Sequence, residues 1–457
     1  MRKLWALVAL SALWSGTALA DRRSGLSGNL LIEDPDDLFA FPQLTLQHRN
    51  MFRLDYGGNA QTGNGVLTLG NEREALAIAL HRGDLLTPDI VGYNTELAWL
   101  GGVEGTGGAL GDTTYGTFPG PAAVDREAQN VLPATVIDLS YARSLSGNPF
   151  GVRLGFGRGV QAVRDADGQV QKGAQTFFAA QVGYSHRPAN ALRWDASANA
   201  VFAFGNANDI AGEDEYSGWN LRVAGLGRAY YPINQLVDVG FLGNVSIGGE
   251  RTEATQLGDS SKDVDFGLRA GVGPSIHLDR AKVAAYGGLR LGVGKNAPNS
   301  LDNADVNRLN LAAPYFNMAA EIQVLDWLYV RTGAEYTWEV RRTGAAEKER
   351  VGDGAFRWSA GLGLQKGTFY FDGVVTNGFV TGGPNFIGGT APGFLAMASL
   401  TYKFGDVFGN VPERREAVAE RPLVIERPAP APAPAVTQPV GEPVPDQELA
   451  APPPRSR

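Results

Sequence analysis

From about residue 133 to residue 404 the chain alternates apolar with polar or small residues at a period of two, run after run. One run sets Val264, Phe266, Leu268, Ala270, Val272, Pro274, Ile276 and Leu278 against Asp265, Gly267, Arg269, Gly271, Gly273, Ser275 and His277. A second sets Leu328, Val330, Thr332, Ala334, Tyr336, Trp338 and Val340 against Tyr329, Arg331, Gly333, Glu335, Thr337, Glu339 and Arg341. Shorter examples are Phe150, Val152, Leu154 and Phe156 against Gly151, Arg153, Gly155 and Gly157, and Phe356, Trp358, Ala360, Leu362 and Leu364 against Arg357, Ser359, Gly361 and Gly363. Period two means strands with one apolar face.

A soluble sandwich also alternates in this way. Its strands usually have about 5–6 residues, whereas the clearest runs here have roughly 11–16. Their polar register carries charge and glycine in mid-strand, which suits a wet or ion-paired interior. Aromatic residues gather towards the ends of the apolar register, at Tyr184, Trp194, Tyr231, Trp338 and Phe404, as interfacial girdles do. Tight turns near Ser146–Asn148, Pro188–Ala191, Pro232–Asn234, Asp279–Arg280, Asp326 and Lys366–Gly367 alternate with polar loops near 160–175, 206–215, 251–262, 296–312, 343–353 and 378–392. The fold class is therefore all-β: a transmembrane antiparallel barrel with short periplasmic turns and longer outer loops. Weaker strands near 49–57, 64–71 and 74–82 bring the count to sixteen, with fourteen left if the earliest are discounted. Both termini are then periplasmic, which requires an even number.

The barrel is expected to span 49–404, and the rest of the chain departs from its pattern. Residues 1–20 have the layout of an export signal: Arg2 and Lys3, an apolar run from Leu4 to Trp14, and the small-residue site Ala18-Leu19-Ala20. That run is too short for a spanning helix, which needs about 20 residues. The mature chain should begin near Asp21 and reach the bacterial outer membrane. Residues 21–48 form an N-terminal periplasmic segment or a lumen plug. Within them Asp34-Pro35-Asp36-Asp37-Leu38 suits a helix start, with Asp34 as cap and Pro35 at the first position. In this layout the chain resembles the fatty-acid-transporter-like barrels (the FadL and PorV group), which implies an N-terminal hatch inside the barrel.

Residues 83–132 interrupt the pattern with a long loop whose Leu85-Leu86, Ile90-Val91 and Leu97-Ala98-Trp99-Leu100 call for burial, as a constriction, a lid or an outer cap. The last strand alternates Phe394, Ala396, Ala398, Leu400, Tyr402 and Phe404. It resembles the closing-strand signal of outer-membrane proteins, with Leu400, Tyr402 and Phe404 as its marks, which implies the barrel-assembly machinery as a partner. The chain continues past Phe404, whereas most proteins of this kind end there. Residues 405–457 hold 12 of the 26 prolines and form an extended Pro/Ala-rich periplasmic tail. Its position resembles the linker of the OmpA-like family without the peptidoglycan-binding domain, and a cell-wall or periplasmic partner would follow from that.

Composition narrows the chemistry. Net charge is −8, which argues against nucleic acid as a partner. Zero cysteines and four histidines leave little for a transition-metal site, so neither metal nor cofactor is expected. A mean hydropathy of −0.14 suits strands that meet lipid only at every second residue. Asp302-Asn303-Ala304-Asp305-Val306-Asn307 is loosely calcium-loop-like but lacks the glycine and the distal glutamate. His48, His186 and His277 fall at strand ends or turns, and only His81 with Asp84 would lie at the outer rim. No serine has a nucleophile setting, and catalysis is not expected.

Charges in the polar register are the candidate lining: Arg153, Arg222, Arg269, Arg290, Arg331 and Arg357 with Asp138, Asp195, Asp238, Asp265, Glu321 and Glu335. Arg228, Arg341, Glu339 and Asp372 share that register. Their near balance argues against a strong preference for anions or cations. The expected function is a pore or gated conduit for small hydrophilic or amphipathic solutes, in contact with outer-membrane lipid. The alternative is a structural or assembly anchor whose loops and tail bind partners.

Overall fold

The computed structural model describes residues 22–57, 63–82, 135–164, 170–188, 191–208, 215–254, 259–298, 306–344, 348–375 and 395–405. Sixteen strands lie within them: β1 (Met51–Gly57), β2 (Gly63–Gly70), β3 (Glu74–Arg82), β4 (Thr135–Leu145), β5 (Asn148–Arg164), β6 (Val170–His186), β7 (Arg193–Asn208) and β8 (Glu215–Pro232), then β9 (Val237–Ala254), β10 (Asp259–Leu278), β11 (Ala281–Pro298), β12 (Val306–Leu325), β13 (Leu328–Gly344), β14 (Lys348–Lys366), β15 (Phe369–Val375) and β16 (Leu395–Lys403). Each pairs antiparallel with its chain neighbours, and β1 pairs with β16 from Met51↔Lys403 to Gly57↔Met397. The sheet is therefore a closed barrel. Closure leaves no unpaired strand edge, which is what hydrocarbon demands of a spanning sheet.

The alternation decides which face meets lipid. Leu154 is 60 % exposed while its neighbour Arg153 is 0 % exposed, and Val264 is 57 % exposed beside Asp265 at 5 %. Apolar side chains lie outside and charges inside, the reverse of a soluble core. A sandwich of two sheets over an apolar centre is excluded, and the protein is a transmembrane barrel of the outer-membrane type.

The count is sixteen, so the early strands belong to the wall. Strands also run on into stretches expected to be loops. β5 continues to Arg164, β9 to Ala254 and β13 to Gly344, because backbone pairing persists where the strict apolar alternation has ended. The tight turns fall where expected. Between β4 and β5, Ser146 and Gly147 both have positive φ (51° and 87°), the requirement of a two-residue type I′ hairpin. The end carrying these turns is termed the turn end and the opposite one the loop end.

Two features are irregular. In β12 the two residues Ala313 and Pro314 stand opposite one residue on each neighbour, Leu289 of β11 and Trp338 of β13, so the strand carries one extra residue and both pairings shift there. This bulge moves the inward register from Asn310 and Ala312 to Tyr315 and Asn317. Among the described residues the strands also differ in length: β5 to β14 have 16–20 residues, whereas β1 to β3, β15 and β16 have 7–9. Residues 1–20, 83–132 and 406–457 lie outside the described residues.

Candidate functional site

Residues 22–50 run inside the turn end of the barrel. A 3-10 turn at Ser24–Leu26 lies against β12 to β15, and a second at Pro42–Leu46 lies against β3 to β6. Between them is α1 (Asp37–Ala40), a single helical turn. It begins two residues after the expected position, with Asp36 rather than Asp34 as N-cap and no side-chain cap bond from Asp36. Asp34 nevertheless supplies the cap chemistry one step earlier. Its Oδ1 accepts from the Asp36 amide at 2.9 Å, and Asp37 Oδ2 accepts from the Asp34 amide at 3.1 Å, the reciprocal pattern of a capping box.

So short a helix cannot satisfy its own carbonyls, and the barrel wall does so. Arg153 donates to the Phe39 carbonyl at 2.9 Å, and the Ala40 carbonyl accepts from Gln181 at 2.9 Å and Ser197 at 2.6 Å. Arg228 donates to the Leu30 carbonyl at 2.8 Å, and the Tyr230 hydroxyl to that of Leu31 at 3.0 Å. Asn317 donates to the Ser27 carbonyl at 2.8 Å and accepts from Asn29 at 2.7 Å. The segment is thus fastened on opposite sides of the bore.

Buried ion pairs form the rest of the fastening. Arg22 meets Glu321 at 2.5 Å and Asp34 at 3.1 Å, and Arg23 pairs with Asp37. Arg228 bridges Asp37 of the segment at 2.6 Å and Asp195 of the wall at 2.8 Å. Arg53 reaches Asp36 at 2.6 Å. At the turn-end rim Glu33 lies 3.4 Å from Arg187 and 3.6 Å from Arg193. Burial alone would raise the Glu33 pKa, but Arg228, Arg187 and Arg193 outweigh it and hold it at about 2. Asp34 is likewise held below the usual carboxylate range, because Arg22, Arg23 and Arg53 outweigh its burial.

The inward glycines make room for this segment. A side chain at Gly151 would reach the Gln43 backbone, 2.5 Å from its Cα. One at Gly240 would lie 2.6 Å from Leu31 Cδ1, one at Gly333 2.5 Å from the Ser27 amide, and Gly361 has the backbone of Gly25 3.4 Å away. Glycine in the polar register, expected to denote a wet interior, is at these positions a cradle for backbone.

All twelve candidate lining residues occupy inward register positions, and they separate into three groups. Arg153, Asp138, Asp195, Glu321 and Arg331 belong to the fastening: Arg153 pairs with Asp138 at 2.5 Å, and Arg331 with Glu321 at 2.7 Å and Asp372 at 2.6 Å. Asp238 sits at the rim with Arg193 at 3.1 Å and His277 at 3.2 Å. Above the segment Arg222 lies 3.9 Å from Asp265, and Arg290 3.8 Å from Glu335. Arg290 also donates to the buried Tyr315 hydroxyl at 2.9 Å, which itself donates to Glu335 at 3.1 Å. Arg269 is buried on β10, and Arg357 is exposed and opposite Glu335 in register.

In the closing strand Leu400 and Tyr402 face outward, Tyr402 stacks on Phe369 at 4.6 Å, and the Phe404 amide donates to the Asn50 carbonyl at 2.9 Å. Sequence reasoning missed as fastening residues Arg22, Arg23, Asp37, Gln181 and Gln43, whose side-chain amide donates to the Tyr184 carbonyl at 3.1 Å. The signal present was opposite charge within one short segment, Arg22 and Arg23 ahead of Asp34, Asp36 and Asp37, interleaved with the apolar Leu30-Leu31-Ile32 and Leu38-Phe39-Ala40-Phe41 that call for burial. His277 adjoins Asp238 and Ser275 through one ring nitrogen, and His48 lies in the inner segment. The Asp302–Asn307 stretch lies mostly outside the described residues.

No protein-family model and no curated protein matches the sequence. Among solved structures, the chain is similar to the toluene transporter TodX of P. putida at 12% identity and TM-score 0.32, over 86% of this chain and 99% of that one. It is similar to CdiB from Acinetobacter baumannii at 10% identity and TM-score 0.32, over 78% of this chain but only 60% of that one. The ferric yersiniabactin uptake receptor FyuA from Yersinia pestis matches at 8% identity and TM-score 0.34, over 72% of this chain and 68% of that one. At these scores the likenesses carry no functional argument.

Proposed function

We propose that the barrel is a gated conduit for small solutes across the outer membrane, with residues 22–50 as its periplasmic plug. The observation that carries this reading is a separately fastened inner segment within a sixteen-strand wall. A wall of 16–18 strands is wide enough to enclose an aqueous channel, whereas small barrels fill themselves with side chains. A membrane anchor requires neither that bore nor a part to close it. The fastening also suits a movable part, because its ion pairs and side-chain-to-carbonyl bonds can be exchanged for water. On this reading Arg222, Arg269, Arg290 and Arg357, with Asp265 and Glu335, line the path above the plug and set a weak charge preference.

The tight glycine cradle favours a second reading, a permanently seated plug in a barrel that serves as an anchor. In either case residues 1–20 act as a cleaved export signal, Leu400, Tyr402 and Phe404 guide barrel assembly, and 405–457 reach a periplasmic or cell-wall partner. Single-channel recording in a planar bilayer separates the two readings. The full chain should be closed with rare openings, and an Arg22→Met/Arg228→Met variant should conduct stably. Silence of both, and of a chain lacking 83–132, would leave the anchor.

A further inference from the structure

Four oxygen atoms on one patch of the inner wall have no hydrogen-bond partner among the described residues. They are Gln181 Oε1 on β6, Asn199 Oδ1 on β7, and Asn244 Oδ1 and Ser246 Oγ on β9. The four residues are only 2 %, 5 %, 5 % and 2 % exposed. A buried polar atom left without a partner is rare and costly, so four side by side call for a cause. Gln181 is opposite Asn199, Asn199 opposite Ala224, and Ala224 opposite Ser246, with Asn244 one inward step nearer the turn end. At about 4.8 Å per strand, Asn199 and Ser246 stand roughly 10 Å apart, with only the Ala224 methyl group between them. The patch borders the plug. Gln181 gives its Nε2 to the Ala40 carbonyl, and Leu226, between Ser197 and Asn244 in register, packs on Ala40, Phe41 and Leu44.

The chemistry of the patch selects what fits it. Amide oxygens only accept, so they repel an anion that brings no donor. A bare cation is disfavoured as well. Neither inward row of β6 to β9 that forms the patch carries a carboxylate to offset the cation's lost hydration, and its inward neighbours along β8 are Arg222 and Arg228. A neutral solute with several hydroxyl groups meets both conditions. One hydroxyl donates to an amide oxygen while the next accepts from the same amide's nitrogen, so adjacent hydroxyls match asparagine and glutamine side chains. The terminal amide torsion is soft, which lets these oxygens turn to meet a solute in the bore.

We propose that this patch binds a neutral, polyhydroxylated solute of about the size of one sugar ring. The inference rests on the conduit reading and supplies it with a solute class. The test is saturation-transfer NMR on the folded full chain in detergent. The probes are myo-inositol, with a hydroxyl on every ring carbon, and 1,4-dioxane, a ring that accepts hydrogen bonds and donates none. Four hydrogen bonds of ordinary net strength correspond to half-saturation at about 1–10 mM inositol, and dioxane should show no saturable transfer. Asn199→Leu keeps the shape and removes the amide, and should weaken inositol binding about fivefold; adding Asn244→Leu should bring the loss to about 25-fold. Because the Asn199 amide holds no protein group, its removal should leave the heat-modifiable gel mobility unchanged or raise the transition temperature, whereas loss of a structural amide would lower it. Ser246→Ala decides if the leucine variants do not fold. Asn310→Leu, three strands from Ser246, should bind inositol as the native chain does. Absence of saturable transfer up to about 100 mM inositol, in both the native chain and the plug-loosening Arg22→Met, would overturn the proposal. So would equal binding of dioxane, an equal loss from Asn310→Leu, or displacement of inositol by potassium chloride but not choline chloride, which would assign the patch to a metal cation. A barrel that conducts but ignores inositol overturns this inference alone. One that binds inositol and stays silent keeps the site and overturns the conduit.

Discussion

Arg228 is the most informative residue to remove, because it alone joins the Asp37 carboxylate, the Leu30 carbonyl and the wall carboxylate Asp195. It is 2 % exposed, and its guanidinium also lies 4.8 Å from the Phe41 ring centroid. Arg228→Met keeps an apolar stem in the site and removes the charge. Breaking a buried pair costs about 3–5 kcal/mol when the partner is stranded. Here Asp195 keeps Arg187 at 3.0 Å and Ser185 at 2.5 Å, and Asp37 keeps Arg23. The expected weakening is therefore about 2–3 kcal/mol, or roughly 30- to 150-fold more time unseated. The native chain has no cysteine, so Thr45→Cys provides a clean reporter. Thr45 is 0 % exposed and its hydroxyl has no hydrogen-bond partner among the described residues. Its maleimide labelling rate follows the unseated fraction when reseating is fast. Acceleration of less than fivefold would refute the idea that ion pairs hold the segment. Arg280→Met removes a surface pair whose side chains are 62 % and 87 % exposed, and should leave the rate unchanged.

Gly151→Val should displace the segment outright, because the clash is with the Gln43 backbone and not with a yielding side chain; Thr45→Cys labelling should rise sharply, while Gly243→Ala, which meets nothing within 4 Å, should be neutral. Seating should weaken as pH falls from about 6.5 to about 4. Burial, and next the charge of Lys403, lower the His48 pKa from 6.5 to about 4, so in that window the released segment takes up a proton that the seated one refuses. Glu33, lowered from 4.5 to about 2, contributes stability that is complete above about 4.5 and lost only as the pH falls towards 2. With labelling at each pH divided by that of an exposed cysteine such as Asn234→Cys, which removes the thiol's own ionisation, His48→Gln should therefore flatten the profile between pH 6.5 and 4, and an unchanged profile would assign the effect elsewhere. On intact cells an impermeant thiol reagent should label Lys262→Cys and spare Asn234→Cys; the opposite pattern would invert the topology.

The long strands were legible because lipid on one side and water or charge on the other impose a strict period of two. Leu154 against Arg153 is enough to show it. The turns were legible where chemistry demanded them, as at Ser146-Gly147. The role of an inward residue was not legible. Arg153 reads as a lining charge, yet one of its donors holds the Phe39 carbonyl 114 positions earlier in the chain, and no local pattern encodes that partner. Gly151 and Gly333 likewise read as spacers, because a cradle is defined only by what lies in it. The β12 bulge hid the phase of that strand: Ala313 and Pro314 move the inward register from even to odd numbers, so strict alternation fails across it.

The fastening of the inner segment also orders events in time. Arg22 emerges from synthesis and export long before its partner Glu321, which lies 299 positions later in the chain. Ser27 must likewise await Ser359. The first part of the barrel region to appear is thus the last to find its place. It can do so only once β12 to β14 have joined the sheet and the wall has curved back on itself. A half-built sheet offers this segment one side of its berth and never both, so protection of Thr45 would serve as a clock for the moment of closure.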